Sequence, residues 1–285
     1  MTKITISVLN DKKEVKVAKR ADVGILTPLT ETALDFAHLS AWDMNYDEGD
    51  KIVIETDGPG NYLMVKLDET LETSFIYMNG TKWTYSISFN ENRTQARPEF
   101  RFAGGRHYIS ARLATKEEIT SYRNLALNPH DMKDYTGAYP HAHANVETRN
   151  DATFFACNAI DGVFANHSHG LYPYQSWGIN RQADAALTID FGRKVTIDKI
   201  GITLRADFPH DSTWSRISIA FSNGTKETFN LEKTYLPQYF SIESRTVTSV
   251  VFGELIKDAD PSPFPALTQL ELFGYNIIED VKEII

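Results

Sequence analysis

The chain has 285 residues, 42% hydrophobic and 24% charged, with a net charge of −9, which suits one large domain or two of ordinary size. The acidic balance argues against nucleic acid and against an anionic membrane surface as partners, since both select a basic face. The single cysteine, Cys157, excludes an intrachain disulfide and a cysteine-rich zinc site, and no apolar run reaches the ~18 residues of a membrane span.

Residues 1–6 read as a strand and lack the apolar region of a signal peptide. A cytoplasmic location is therefore expected, or a secreted one if a leader has been removed. Short alternating or β-branched segments follow at 4–9, 51–56, 62–67, 74–78, 83–89, 99–103 and 108–113. Residues 32–39 suit a short helix within a loop insert. Turn chemistry separates the strands at residues 57–60, at Asn79-Gly80 and at Gly104-Gly105. Asn79-Gly80 between two β runs signals a hairpin, because both residues tolerate positive φ.

Thr115 with Glu118 three residues on is a capping box, read as the link between two domains. Residues 124–174 are rich in loop formers, and a long loop region in a domain is usually functional. Strands resume at 186–191, 199–205, 214–221, 226–231, 238–242, 249–252 and 267–273, with a turn at Asn223-Gly224. The expected domains are 1–118, 119–275 and a tail, 276–285. In the tail Ile277, Ile278, Val281, Ile284 and Ile285 share one helical face. That face either docks on the chain's own domains or forms a homo-oligomer contact.

Five pieces of the second half stand in a familiar order. They are Asn124-Leu125-Ala126-Leu127, then residues 157–162 ending in Asp161-Gly162, then Ser176-Trp177-Gly178. Residues 186–192 (ALTIDFG) and 267–274 (LTQLELFG) complete the set. Together they resemble the discoidin-like domain, the coagulation-factor C-type fold shared with galactose-binding carbohydrate-binding modules. The resemblance covers about residues 122–275. It implies a jelly-roll β-sandwich that binds sugar through loops at one end, without catalysis. The expected fold class is thus all-β, with two β-sandwich domains, the C-terminal one discoidin-like.

A carboxylate beside a glycine turn, as at Asp161-Gly162, offers the mixed oxygen ligands that calcium accepts. The resemblance implies a structural calcium held by Asp161 and Glu271. The chain departs from the usual run after Asp-Gly, having residues 163–169 (VFANHSH) instead. The other reading of Asp161 is a side chain capping its own turn.

Six of the eight histidines lie between residues 130 and 210. His141 and His143 form one His-x-His pair, His167 and His169 another. In an extended chain i and i+2 share a face, so either pair suits zinc, with His210, Asp211 or Glu147 as a third ligand. Sugar recognition needs flat rings to stack on and polar groups to hold hydroxyls. Tyr172, Tyr174 and Trp214 supply rings; Arg181, Arg205, His210 and Asp211 supply polar groups. The residues expected to bind ligand are therefore these seven with His141, His143, His167 and His169. Two other functions fit the same chemistry. One is a metal-assisted or acid–base enzyme acting on a carbohydrate, using Asp207, Asp211 and His210. The other is a structural or assembly role.

Overall fold

Strand β1 (Lys3–Leu9) shows how the sequence becomes a layer. Ile4, Ile6 and Val8 are buried, while Thr5 and Ser7 face outward. Their hydroxyls meet those of Thr32 and Thr30 across the sheet at 2.9 Å each, as period-two alternation requires. The computed structural model describes residues 1–19, 24–207 and 212–278.

The first unit comprises residues 1–114 and 135–139. Its remaining strands are β2 (Val17–Lys19), β3 (Leu26–Pro28), β4 (Thr30–Leu34), β5 (Phe36–Trp42), β6 (Lys51–Thr56), β7 (Asn61–Lys66), β8 (Ser74–Met78), β9 (Lys82–Ser86) and β10 (Arg106–Leu113). They form two antiparallel sheets, ordered β4-β1-β6-β9 and β3-β2-β5-β10-β7-β8. Three local expectations fail here. Residues 32–39 lie in β4 and β5 on either side of Asp35, which takes a φ of 61°, and both strands pair with neighbours. Residues 99–103 form turns, in which Phe102 takes a φ of 62°. Asn79-Gly80 joins β8 in one sheet to β9 in the other, so it is an arch between layers. Neither residue is among those with positive φ, and the tight hairpin turn needs that conformation.

The second unit comprises residues 115–134 and 140–285. After the short helix α1 (Glu91–Thr94) of the first unit comes α2 (Lys116–Thr120). Thr115 and Glu118 cap α2 reciprocally, as their spacing predicts. The strands are β11 (Arg123–Asn124), β12 (His141–Ala144), β13 (Trp177–Gly178), β14 (Leu187–Leu204), β15 (Trp214–Phe221), β16 (Lys226–Asn230), β17 (Gln238–Lys257) and β18 (Ala266–Asn276). All eight join one antiparallel sheet. Asn223-Gly224 does close a hairpin, between β15 and β16, with Gly224 at φ 85°.

Two pairs of strands expected as separate are continuous. Segments 186–191 and 199–205, but for residues 186 and 205 at their ends, lie in the single β14, and 238–242 and 249–252 in the single β17. The reason is a β-bulge. On β14 the core-facing residues are Leu187, Ile189, Phe191, Val195 and Ile197, then Ile200, Ile202 and Leu204. The change from odd to even positions falls at the register shift between Ile197 and Lys199. One extra residue there reverses which side chains point inward. The two halves of β14 thereby line one core, with Trp177, Trp214 and Phe252 at ring separations of 5.8 to 6.5 Å. Of the tail, residues 279–285 lie outside the described residues, and with them the expected helical face.

Gly274 of β18 faces Ile197 at this bulge. A Cβ on Gly274 would stand 1.8 Å from the Thr196 carbonyl oxygen. Gly274→Ala should therefore destabilise the fold by about 1–3 kcal/mol or more. Its urea midpoint, set beside that of Gly80→Ala, where a Cβ meets nothing within 4 Å and φ is not positive, checks this. Equal losses would show that the close approach carries no special cost.

Candidate functional site

Gly178 ends β13 where the chain passes Thr148 and Phe154. A Cβ at Gly178 would lie 2.7 Å from Thr148 Oγ1 and 3.0 Å from Phe154 Cδ1, so only glycine fits without displacement. The backbone then turns through Asn180 and Arg181, both left-handed with φ of 47° and 62°. The Asn180 N–H donates to Thr148 Oγ1 at 3.0 Å. The segment Pro261-Ser262-Pro263-Phe264-Pro265, which leads into β18, lines the same space. Its prolines fix φ and remove backbone donors. The space is a cleft of about 880 Å³, with Arg205 and His169 also lining it.

The polar part of the cleft is organised by Asp207, a buried carboxylate. Its Oδ1 lies 2.9 Å from Arg205 Nε, and its Oδ2 lies 2.5 Å from His169 Nδ1. Arg205 also donates from Nη2 to the Phe264 carbonyl at 2.5 Å. With Nδ1 donating to Asp207, a neutral His169 ring leaves Nε2 as an acceptor; this side chain is half exposed. The Arg181 guanidinium stands 4.4 Å from the centre of the Phe264 ring, and Arg149 stands 5.7 Å from Phe154. The cleft thus pairs a mostly apolar, aromatic lining with a few fixed polar groups, the make-up of a small-molecule site.

Of the expected ligand-binding residues, His169, Arg181 and Arg205 come together here. The others lie elsewhere. Trp214 is a core residue, 1% exposed, whose edge borders a smaller adjoining cleft of about 360 Å³. Its burial leaves no open ring face for a ligand to stack on. Tyr172 and Tyr174 flank Pro173 away from the lining, with Tyr172 exposed. His167 packs against Tyr235 at 5.1 Å. His210 and Asp211 lie outside the described residues.

The His141–His143 pair sits on β12. The rings share a face and stack at 5.7 Å. His141 is committed to Asp131, its Nδ1 being 2.8 Å from Oδ1. Glu147, one proposed third ligand, accepts from the Ala156 N–H at 2.8 Å and lies 3.6 Å from Lys133 Nζ. Among the described residues, neither His-x-His pair belongs to a group of three converging ligand atoms.

Asp161 and Glu271, the pair expected to hold calcium, have separate partners. At the Asp161-Gly162 turn, Asn158 O, Asp161 Oδ1 and Val163 O all accept from Gln269 Nε2, at 2.8, 2.7 and 3.2 Å. Asp161 Oδ1 also accepts from the Val163 N–H, and Oδ2 accepts from Gln175 Nε2. An amide nitrogen therefore stands where these oxygens converge. Glu271 instead faces Gly201 and bonds to Tyr239, and burial holds its carboxyl above the usual range.

Sequence reasoning missed the wall formed by residues 261–265 and the partner role of Gln269. Three prolines in five residues just before a strand signal the first. Nothing in the sequence alone signals the second.

A search of protein-family descriptions and a search of curated proteins find no match. Solved structures similar to the chain do exist. The lectin-binding domain of lectinolysin, complexed with Lewis b, is 14% identical over 54% of this chain and 98% of that one, with a TM-score of 0.41. A Streptococcus pneumoniae fucose-binding module is 16% identical over 54% and 98%, at 0.38. The family 32 module of C. perfringens NanJ, complexed with galactose, is 19% identical over 46% and 91%, at 0.36.

The His141–Asp131 contact sets a pH dependence. Burial lowers the His141 pKa, but the Asp131 hydrogen bond and charge, with the charges of Asp190 and Asp134, outweigh it and hold the ring above its ordinary value, while burial holds the Asp131 carboxyl up as well. The contact's contribution is then complete below the unfolded value of about 6.5 and fades as pH rises through the folded value. Asp131→Asn should cost about 1–3 kcal/mol and flatten this slope in urea unfolding at pH 6 to 8. An unchanged slope would assign the titration elsewhere.

Proposed function

We propose that the second unit is a non-catalytic carbohydrate-binding module whose ligand occupies the cleft beside Asp207. The observation that carries this reading is that Phe264, Arg205 and His169 line one cleft, the two polar groups both held by Asp207. An aromatic face packs on the C–H face of a sugar ring, while fixed polar groups select hydroxyls. Arg149 and Arg181 at the same cleft offer guanidinium forks, which suit a sugar carboxylate. The favoured ligand is a glycan ending in an acidic sugar.

Glycan-array screening followed by calorimetry tests the proposal. Phe264→Ala should weaken binding by about 1–3 kcal/mol, the loss for a significant anchor, and Tyr174→Ala should leave it unchanged. The opposite pattern would move the site to the Tyr172–Tyr174 loop. A second reading rests on one observation, the His169–Asp207 contact at the cleft, which orients an imidazole as in an acid–base pair. Turnover of a glycoside, lost in His169→Ala with folding intact, would favour it over simple binding.

We also propose that the Asp161 turn is held by Gln269 rather than by calcium. Gln269→Glu would set a carboxylate against three acceptor oxygens, at a cost of about 1–3 kcal/mol. Added calcium chloride should raise the melting temperature of that variant and leave the parent protein unchanged. A calcium-dependent rise in the parent would restore the cation.

A further inference from the structure

The first unit holds a separate cluster of metal-ligating side chains. Asp68 and Glu69 follow β7, and His107 is the second residue of β10. One ligand atom from each lies within 4.8 Å of the other two. Asp68 and His107 are buried, and Glu69 is exposed.

The imidazole is the informative member. His107 Nε2 lies 3.0 Å from the Met44 carbonyl oxygen and 2.9 Å from that of Gly104. Both partners are acceptors, so Nε2 carries the proton. In the neutral ring Nδ1 is then a bare lone pair. It is buried and has no hydrogen-bond partner. The nearest charged oxygen is Glu69 Oε2 at 3.9 Å, itself an acceptor when ionised. A donated N–H on one ring nitrogen and a lone pair on the other is the arrangement that fixes a metal-binding histidine.

The carboxylates are also prepared. Asp68 Oδ1 accepts from the backbone and hydroxyl of Thr70 at 2.8 and 2.6 Å, and Oδ2 from the Phe102 N–H at 2.7 Å. These bonds hold the carboxylate in place, and Asp68 makes no ion pair among the described residues. Glu69 Oε1 accepts from the Tyr108 N–H at 2.7 Å, leaving Oε2 on the His107 side. The Tyr46 ring stands 4.6 Å from the imidazole, and its buried hydroxyl also lacks a partner. Burial, with the charges of Asp68, Glu69 and Asp50, pushes the Tyr46 phenol well up. Arg97 feels the Asp68 charge and Arg101 donates to the Thr70 hydroxyl at 3.2 Å, but neither forms an ion pair with Asp68 or Glu69 among the described residues.

We propose that Asp68, Glu69 and His107 form a zinc site in the first unit. One nitrogen and two carboxylate ligands suit zinc, and the imidazole disfavours calcium and magnesium. Ligand atoms around tetrahedral zinc lie about 3.5 Å apart, so the cluster must contract slightly. Glu69, the exposed member, can close its own 3.9 Å distance to His107, and Asp68 must also approach the imidazole. The fourth position is left for water.

Calorimetry of the full chain with zinc chloride, after dialysis against chelator and then buffer, tests the site. The parent should take up zinc, and Glu69→Gln should lose one equivalent or weaken it at least about tenfold. The amide oxygen of that variant can still accept from Tyr108, so its fold should persist; far-ultraviolet dichroism checks this. Cobalt(II) provides a second readout: the parent should give an absorption band of a tetrahedral site that Glu69→Gln and His107→Gln lack. No zinc uptake by the parent would overturn the proposal. So would uptake of equal stoichiometry and affinity in a folded Glu69→Gln, which would assign the ion to other histidines.

Discussion

A single buried carboxylate, Asp207, holds the proposed binding cleft together. It sits between a guanidinium and an imidazole brought from different loops. Arg205, its nearer partner in sequence, reaches on to the Phe264 carbonyl, and its backbone N–H reaches that of Ala266. The loop carrying His169, the end of β14 and the proline wall are therefore linked through one charged cluster. Breaking a buried pair by removing one member typically costs about 3–5 kcal/mol, because the other charge is left without compensation. Such a cluster is less a source of net stability than a device that fixes geometry.

The rest of the second unit supports that geometry by close packing. The bulge in β14 lets one strand serve both parts of the sheet, and Gly274 permits the approach that the bulge requires. Gly178 does the same where β13 meets Thr148 and Phe154. At the Asp161 turn, Gln269 gathers oxygens from three residues of one loop onto the last strand. A neutral amide does this without the desolvation of an ion. In the first unit the chemistry is reversed: Asp68 and Glu69 are held by backbone and hydroxyl donors, and the buried His107 Nδ1 beside them has no hydrogen-bond partner.

Much of the fold was legible in the sequence because alternation is a local signal. The inward Ile and Val positions of β1, and the capping box at Thr115, appear as residue spacing dictates. What stayed hidden depends on distant partners. Asn79-Gly80 and Asn223-Gly224 carry the same turn chemistry, yet only the second closes a hairpin. The difference lies in which sheet the following strand joins. The bulge at Ile197 reads in sequence as a break between strands, because the inward parity changes there.

The site was less legible than the fold. The histidine-rich composition drew attention to residues 139–181, yet only His169 of that group's histidines reaches the cleft. His141 is committed to Asp131, and His167 to Tyr235. Arg205 and Asp207 were visible as a charged segment, but Phe264 lies some 60 positions away and is brought beside them by the β18 pairing. Trp214 shows the converse: a tryptophan beside polar residues in sequence is sealed into the core in space.

The most direct test of the account is a nitrogen-15 correlation spectrum of the protein titrated with the glycan selected by screening. Shift changes confined to residues 148–149, 178–181, 205–207 and 261–266, saturating with one affinity, are the predicted result. Saturating changes centred instead on His141–Ala144 or on residues 171–175, with the cleft unmoved, would contradict it.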